Sequence, residues 1–357
     1  MKKIIILPFL FLTLLSWGQA QFVVQNGAKT EVYNNINTAI TNAAAGDTLY
    51  LPGGGFSITN TTIDKTLHWV GHGHNPQETS ATKQTRIVSS LTFTGNCDGS
   101  SFEGILFTST LNFGSDGDDC VNVKLKRCRL MNALTMRYDN NGDPVDLNFH
   151  ITECVLQGIV NAFNGSNCTI EHSLLFSYVL YFEGSLFNHN DFPALSGCSN
   201  CSSRDRIIQY SNNCLFTNNV FSYQFGLYNS NSCELNYNLF DRALPFDTLL
   251  STHSGSNNIV SVPIADIYTS IENDAYNTFS YNNDYHLNAT GTGTAQDGTP
   301  GVSIKGAASD GTDMGVYGTS NPYKTIPYYP HINTATIASE AVSDQLGVTI
   351  NAEAQSR

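Results

Sequence analysis

Side chains that suit the binding of sugar rings recur along the middle of the chain. Aromatic rings stack on the C–H faces of sugars, while carboxylate, amide and guanidinium groups exchange hydrogen bonds with sugar hydroxyls. The residues that carry this chemistry are Arg137, Phe163, Tyr181, Glu183, Gln209, Tyr228 and Asp247. They form one ligand-binding surface only if the fold places them on one outward stripe, so the prediction depends on the register of the elements that hold them.

The acidic run Asp116-Gly-Asp-Asp119 is a second group of candidate ligands. Calcium takes oxygen ligands, and Asp116, Asp118 and Asp119 would bring three carboxylates into one turn. The alternative interpretation is a solvated acidic loop that binds no ion. Calcium is therefore a candidate cofactor, and the sequence makes no cofactor certain.

The elements that must position these residues are the units of a repeat. Segments of eight residues share apolar or Cys residues at positions one, three and eight, polar residues at four and five, and Cys, Ser or Asn at six. They are 123–130, 149–156, 168–175, 214–221 and 233–240, with 185–192 as a sixth copy and 100–107 as a looser seventh. A spacing near twenty residues with alternate inward positions predicts one solenoid coil per repeat. The fold class is all-β, a parallel β-helix with three short strands per coil.

The register of this repeat generates the predicted stripe. Counting five residues back from a repeat start gives the outward residues Phe163, Gln209 and Tyr228. Matching the third strands of different coils adds Arg137, Glu183 and Asp247 to the same column and places Tyr181 in the neighbouring one.

Inward positions of the repeat hold small polar and sulfur side chains. Five of the nine cysteines, Cys128, Cys154, Cys168, Cys214 and Cys233, fall there, which predicts a buried stack and no metal site. Asn190, Asn219 and Asn238 share one column, where stacked amides can hydrogen-bond along the axis. For Cys198 and Cys201, in a predicted loop, a local disulfide and two free thiols both remain open.

Position five of the repeat carries a charged cluster. Arg127, Glu153 and His172 occupy it in successive coils. We expect a surface ion ladder there, which contributes little to stability because water screens exposed pairs.

The N-terminal segment and the net charge of the chain limit where the protein is located and which partners it can bind. Met1-Lys-Lys3, an apolar run to Trp17 and Gly18-Gln-Ala20 predict a signal peptide over residues 1–20. The mature protein is expected to be secreted (extracellular, periplasmic or at the cell surface), without a transmembrane segment. Seventeen Lys and Arg against 30 Asp and Glu give a net charge of −13, which excludes nucleic acid and disfavours acidic polysaccharides unless cations intervene.

Two stretches near the N-terminus resemble a known superfamily. Ala43-Ala-Ala-Gly-Asp-Thr-Leu-Tyr-Leu-Pro-Gly54 and the stretch 62–73 resemble the opening of pectin-lyase-like proteins, and 284–287 and 310–318 resemble their closing coils. The resemblance implies a right-handed, single-stranded parallel β-helix over residues 21–330, with a capping helix near Ile36–Ala45. Residues 331–357 are expected to form a tail that covers the last coil. Asp116–Cys120 and Gly71–Gly73 are similar to polygalacturonase motifs but stand in the reverse order, which disfavours a hydrolase.

An insertion of about ten residues precedes the strand that contains Gln209. In the superfamily's polysaccharide lyases, loops at the corresponding turn wall the substrate cleft. By this resemblance, Arg204 or Arg206 is a candidate base, and Glu183 and Asp247 could lie near a calcium ion that neutralises a uronate.

The sequence therefore predicts a secreted protein that associates with a polysaccharide or cell-surface glycan. Whether it cleaves that glycan is open, although a lyase is favoured over a hydrolase if it is an enzyme. The alternative is a non-catalytic adhesive or structural scaffold. The ligand, the anchoring route, the disulfide pairing and the oligomeric state are not predicted.

Overall fold

The computed structural model describes residues 20–80, 82–114, 118–137, 145–193, 207–222, 226–244, 252–272, 279–325, 331–342 and 345–353. In these ranges the chain is almost entirely β-structure, and its short strands stack into three long, mainly parallel sheets. Each turn of the chain adds a strand to each sheet, so the fold is a solenoid. The all-β, parallel-sheet prediction is confirmed. The predicted signal peptide, apart from Ala20, lies outside the described residues.

Successive strands along the chain belong to the first, second and third sheet in turn. The first sheet contains Phe22–Asn26, Lys29–Tyr33, Asp47–Tyr50, Leu67–Val70, Ser101–Glu103, Lys124–Lys126, His150–Thr152, Thr169–Glu171, Leu186–Asn188, Leu215–Thr217, Glu234–Asn236 and Ser254–Ser256. The second contains Gly54–Phe56, Thr85–Ile87, Leu106–Phe107, Arg129–Leu130, Val155–Leu156, Leu174–Leu175, Asp191–Phe192, Val220–Phe221, Leu239–Phe240, Ile259–Val260, Thr292–Ala295 and Pro300–Ser303. The third contains Thr62–Ile63, Leu91–Phe93, Leu111–Phe113, Leu134–Thr135, Val145–Asp146, Val160–Ser166, Val179–Glu183, Ile208–Gln209 and Leu227–Tyr228.

The inward positions of the repeat form the core. In the first sheet, position three of each repeat pairs with its equivalent in the next coil, as Phe187 does with Phe216 and Phe216 with Leu235. In the second sheet, Phe192, Phe221 and Phe240 stack at position eight with centroid distances of 4.5 and 5.1 Å. Such ring pairs add about 0.5–1.5 kcal/mol beyond the area they bury. Identical neighbours thus reinforce the register of the coils that contain Phe192, Phe221 and Phe240.

A short helix lies at the N-terminal end of the solenoid, as predicted. Helix Ile36–Asn42 begins where the Asn35 side chain accepts hydrogen bonds from the amides of Asn37 and Thr38. Its apolar face is buried in the core cluster. At its other end, the Lys65 ammonium donates to the carbonyls of Ile40 and Ala43, which satisfies helix carbonyls that have no partner within the helix.

A ladder of buried asparagines runs along one inner corner. The Nδ2 of Asn190 donates to Asn219 Oδ1 at 3.1 Å, Asn219 donates to Asn238 at 3.0 Å, and Asn238 donates to Asn258 at 3.2 Å. Gln296 ends the ladder by accepting from Asn258 Nδ2 at 2.8 Å. Each Asn Oδ1 also accepts the backbone amide one coil back, as Asn219 does from Asn190 N. The predicted amide column is confirmed, and it extends further than the repeat indicated.

Sulfur side chains fill neighbouring inward columns. Cys128, Cys154, Cys168, Cys214 and Cys233 are all buried free thiols, as predicted. A disulfide that the sequence did not indicate joins Cys97 to Cys120, which lie outside the repeat's Cys positions. Cys198 and Cys201 lie outside the described residues.

The second sheet is covered on its outer side by the C-terminal part of the chain. Position seven of the repeat places an apolar column there, and residues of 262–323 pack on it to form a second core cluster. The parallel stacking ends at Ile259–Val260, which pairs with Thr292–Ala295 in antiparallel fashion. The expectation that 284–287 and 310–318 form closing coils is therefore wrong: Asp284–Leu287 pairs only with Tyr268–Ser270 among the described strands.

The position-five cluster is buried, so its predicted surface location is wrong. Arg127 is 0%, Glu153 7% and His172 8% exposed, and Arg127 binds Glu153 through two bonds of 2.7 and 3.1 Å. The cover explains part of this burial, because His172 Nδ1 lies 3.2 Å from the Val316 carbonyl oxygen. In the next coil His189 stacks on His172, with a centroid distance of 5.3 Å.

The last described residues form a hairpin of His331–Val342 and Gln345–Glu353. The 3₁₀-helix Ile264–Asp266 and helix Ile36–Asn42 are both short. In the described ranges, no helix has the length and apolar character needed to cross a membrane. The proposed covering role of the tail stays a prediction.

We expect Asn219→Ala to lower the free energy of unfolding by about 3 kcal/mol, because it leaves buried partners in two adjacent coils without hydrogen bonds. Asn231→Ala is the matched control. Asn231 is exposed, and its amide makes a bond of 3.5 Å, so we expect a loss of less than about 0.5 kcal/mol. Urea unfolding of both variants measures the difference, and equal losses would contradict a stabilising role for the ladder.

His189 should make the protein lose stability as pH falls from about 6.5 toward 4, whereas the raised pKa of the buried Asp191 acts in the opposite direction. Burial and then repulsion by His172 lower the pKa of His189 from 6.5 to about 4, although Asp310 opposes the shift. The unfolded chain therefore binds a proton that the folded state rejects, so the stability present above pH 6.5 is lost on acidification. The expected slope is about 1.4 kcal/mol per pH unit for one such histidine.

Urea unfolding across this pH window tests the assignment with His189→Gln. The variant should show a shallower slope by about one proton. An unchanged slope would show that His189 binds its proton in the folded state.

Candidate functional site

The described members of the predicted stripe lie on or next to strands of the third sheet, but they do not share one column. Gln209 pairs with Tyr228 on one side, as expected, and with Leu180 on the other. Glu183 is displaced along its strand and pairs with Ser166 and Asn212. The predicted alignment of Glu183 with Gln209 and Tyr228 is therefore wrong.

Unequal turns and a bulge cause the displacement. The chain passes from Leu175 to Val179 in one coil but from Phe221 to Leu227 in a later one, so third strands that are matched by counting forward from the second strand do not align. In addition, the register of Val160–Ser166 shifts between Asn161 and Gly165. Such a bulge inserts residues that have no partner in the next strand and re-aims their side chains.

The structure instead brings four rings together as an aromatic ladder, defined as Phe163, Tyr181, Tyr210 and Tyr228. Centroid distances are 6.1 Å from Phe163 to Tyr181, 4.8 Å from Tyr181 to Tyr210 and 5.6 Å from Tyr210 to Tyr228. The first three rings are parallel within 6°, whereas Tyr228 stands at 82° to Tyr210. All four are half-buried.

Tyr210 was absent from the predicted set. Its signal was present in the spacing: Tyr181 and Tyr210 are 29 residues apart, as are the repeat starts at 185 and 214. The offset of five residues from the repeat start selects Gln209 in this coil, whereas Tyr210 lies four residues before that start.

The backbone at this corner explains how the rings project. Phe163, Tyr181 and Tyr210 adopt positive φ values of 46°, 59° and 53°, and Asn229 holds the equivalent place beside Tyr228 with φ 48°. Asn tolerates this left-handed region, whereas a bulky aromatic residue adopts it rarely. Tyr228 lies one residue earlier than the rings it contacts, which accounts for its perpendicular orientation.

Mutual stacking determines what the ladder can offer a ligand. The faces of the three parallel rings are directed at one another along the axis, so a ligand would contact their edges rather than their faces. Tyr228 is turned out of this stack. The ladder therefore offers a row of ring edges, of which those of Tyr181 and Tyr210 carry hydroxyls, and one ring in a different orientation.

Amide and carboxylate groups lie beside the ladder. Glu183 accepts a hydrogen bond from Asn213 Nδ2, and Asn212 Oδ1 accepts from the Asn231 amide at 3.0 Å. Gln209 is half-buried between its two strand partners. These groups extend the row of hydrogen-bond donors and acceptors beyond the rings.

Arg137 is held by the protein at the start of the ladder. It is 4% exposed, its Nε lies 3.1 Å from Asp119 Oδ1, and its Nη1 donates to the Phe163 carbonyl at 3.3 Å. The guanidinium thus ties the bulge that carries Phe163 to the loop that carries Asp119. Arg137 and Asp119, predicted as ligands of different partners, contact each other.

The described residues provide no arrangement that supports the predicted calcium site or the predicted catalytic residues. Asp118 is exposed and Asp119 pairs with Arg137. In the part of the chain that the structure describes, no cluster of three His, Cys, Asp or Glu side chains is placed to hold a metal ion. Asp116, Arg204, Arg206 and Asp247 lie outside the described residues, as does most of the insertion, so their roles stay predictions.

Comparison with known proteins yields no relative. No protein-family model, no curated protein and no solved structure matches this chain.

We expect Arg137→Met to lower the free energy of unfolding by about 3 kcal/mol, because it leaves a largely buried carboxylate without its partner. Lys29→Met is the matched control, since the Lys29–Glu31 pair is exposed on both sides. Its expected cost is below about 1 kcal/mol. Thermal unfolding compares the two variants, and an equal effect would mean that the Arg137 pair is as screened as a surface pair.

Proposed function

We propose that this is a secreted, right-handed, single-stranded parallel β-helix of the pectin-lyase-like type that binds a neutral polysaccharide along its aromatic ladder. The observation that carries the proposal is the ladder itself: coils that recur along the axis present similar groups at a regular spacing. A polysaccharide is also a repeat, so several of its units can meet equivalent groups at once. Weak contacts that are linked in this way gain affinity together.

The charges favour a neutral ligand. The chain has a net charge of −13, Glu183 adds a carboxylate beside the ladder, and Asp119 offsets the positive charge of Arg137. A polyanionic chain would be repelled from such a surface. Hydroxyl, amide and phenol groups, by contrast, suit the hydroxyls of a neutral glycan.

Lyase-type cleavage is not argued from the described residues. Glu183 is the one member of the predicted catalytic set within them, and its side chain is hydrogen-bonded to Asn213. Catalysis therefore depends on Arg204, Arg206 and Asp247. Binding needs none of the three.

One observation favours a second function, that of a rigid structural scaffold. Rings that stack on each other stabilise the solenoid without any ligand. On this alternative, the ladder contributes to stability and its hydroxyls are dispensable.

The double variant Tyr181→Phe, Tyr210→Phe separates the two. It keeps the stacked rings and removes their hydroxyls, each of which contributes about 0.5–1.5 kcal/mol when hydrogen-bonded. We expect about a tenfold loss of affinity for a neutral polysaccharide on a glycan array and by calorimetry, with little change in melting temperature.

Tyr33→Phe, a half-buried tyrosine of the first sheet, is the matched control and should bind as the parent protein does. If the parent protein bound no neutral glycan, or if the double variant bound as tightly as the parent, the scaffold function would be favoured.

A further inference from the structure

Two of the buried free thiols, Cys214 and Cys233, face each other across adjacent coils. Each precedes a strand of the first sheet, and the residues that follow them, Leu215 and Glu234, are paired neighbours in parallel strands. Such neighbours lie about 4.8 Å apart. That separation falls within the range of about 4.4–6.8 Å between the Cα atoms of a disulfide. The register therefore places the two cysteines where a bond between their sulfur atoms needs no large movement of the backbone.

Polar contacts hold both thiols in the interior of the coil. Cys214 Sγ lies 3.2 Å from the Asn212 carbonyl oxygen, and Cys233 Sγ lies 3.3 Å from the Ser211 carbonyl oxygen. The two cysteine side chains also hydrogen-bond to each other. The sulfur atoms are thus in contact before any reaction takes place.

The imidazole of His253 continues the same column one coil further on. The backbone N–H of Cys233 donates to His253 Nδ1 at 3.2 Å, and the His253 side chain is half-buried. Strand Ser254–Ser256, which follows His253, is the last of the first sheet among the described strands. Cys233 therefore lies one coil from the end of that sheet and beside a group that can accept a proton.

The surroundings divide the acidity of the pair between its two members. The hydrogen bond with the Cys214 thiol lowers the pKa of Cys233 below its ordinary value, and the His253 imidazole lowers it further, although burial opposes the shift. The same hydrogen bond raises the pKa of Cys214. A thiolate is the nucleophilic form of cysteine. Cys233 is therefore the nucleophile, and Cys214 is the thiol that donates to it.

A second pair of thiols has the same register without the imidazole. Cys128 and Cys154 precede paired residues of the second sheet, and the Cys128 N–H donates to Cys154 Sγ at 3.4 Å. A serine hydroxyl, rather than a histidine, follows Cys154 in its column. Burial raises the pKa of Cys154 well above its ordinary value. This pair is thus a control for the effect of proximity alone.

The fifth free thiol has no cysteine opposite it. By the pairing of the residue that follows it, Cys168 lies between Phe149 in one neighbouring coil and Ser185 in the other. Its amide donates to the Ser185 hydroxyl at 3.1 Å. Cys168 is therefore a control for the reactivity of a single buried thiol, and Ser185 shows that serine fits this column.

We propose that Cys214 and Cys233 are a redox-active pair that a hydroperoxide oxidises to a disulfide between adjacent coils. The Cys233 thiolate attacks one oxygen of hydrogen peroxide, which gives a sulfenic acid and releases hydroxide. The hydroxide takes up the proton that Cys233 lost. The Cys214 sulfur then attacks the Cys233 sulfur, and the sulfenic oxygen leaves as water with the Cys214 proton. Two thiols and one peroxide thus give one disulfide and two waters.

The bond would join the coils that carry the last two rings of the aromatic ladder. The Tyr210 N–H donates to the Tyr228 carbonyl at 2.8 Å in these coils. Cys214 and Cys233 are 19 residues apart in the chain, and a disulfide that closes such a loop removes conformations from the unfolded state. We expect oxidation to raise the melting temperature by about 5 °C. The proposal needs no ligand, so its outcome is separate from that of polysaccharide binding.

The test exposes the folded mature chain to hydrogen peroxide at pH 7. Peptide mapping without reductant should recover the peptides of Cys214 and Cys233 joined to each other, with the loss of two thiols. This bond should form about tenfold faster than any bond between Cys128 and Cys154, because only Cys233 has thiolate character. Dithiothreitol should restore both thiols.

Three variants assign the roles. Cys233→Ser should abolish the bond and leave Cys214 reduced, whereas the matched control Cys168→Ser should oxidise as the parent does. His253→Gln should slow oxidation about tenfold at pH 7 and have little effect at about pH 9, where the thiolate forms without the imidazole.

Four results would overturn the proposal. They are survival of both thiols in peroxide, equally fast joining of Cys128 to Cys154, conversion of Cys233 to a sulfinic acid without a bond to Cys214, and unchanged oxidation of His253→Gln at pH 7.

Discussion

Hydrogen bonds between buried asparagine amides hold successive coils in one register, and the outer surfaces follow from that register. The Oδ1 atoms of Asn219, Asn238 and Asn258 each accept hydrogen bonds from a backbone N–H and from the Nδ2 of the preceding Asn, so two bonds break together if a coil slips. A slip of one residue would also turn every inward side chain outward. The ladder therefore constrains position along the strand more sharply than the apolar core does, since Phe and Leu tolerate small shifts whereas a buried amide without a partner does not.

The cover on the second sheet follows from one column of that register. Position seven of the repeat is apolar at Val155, Leu174, Val220 and Leu239, although it faces away from the coil interior. If it were exposed, this apolar column would be an adhesive patch, but described residues within 262–272 and 279–323 bury it. The approach is close at Gly315, where a Cβ would lie 2.2 Å from Asp191 Oδ1, and its φ of +82° also favours glycine. The cover thus contributes to the burial of His189 and Asp191.

The repeat was sufficient to predict the solenoid and the inward Cys and Asn columns, because these depend on local patterns that recur in successive coils. The N-terminal helix lies outside the repeat and was expected only from the resemblance. It was insufficient where the answer depended on distant or irregular chain. His172 is buried by Val316, 144 residues away, and no local pattern reports such a contact. The predicted alignment of Glu183 with Tyr228 was wrong because their strands follow turns of different length. The bulge at Phe163 adds a second shift of register. The Cys97–Cys120 disulfide joins positions outside the repeat, so no column indicated it.

Backbone conformation and ring stacking together decide what the aromatic ladder presents at the surface of the third sheet. Phe163, Tyr181 and Tyr210 keep positive φ values that bulky residues adopt rarely, and their parallel faces are directed at one another with centroid distances of 6.1 and 4.8 Å. Because these faces are already in contact, a ligand beside the ladder would meet ring edges. Shallow contact of that kind, repeated from coil to coil, suits an extended chain better than a single ring, which is why we propose a polymer as the ligand.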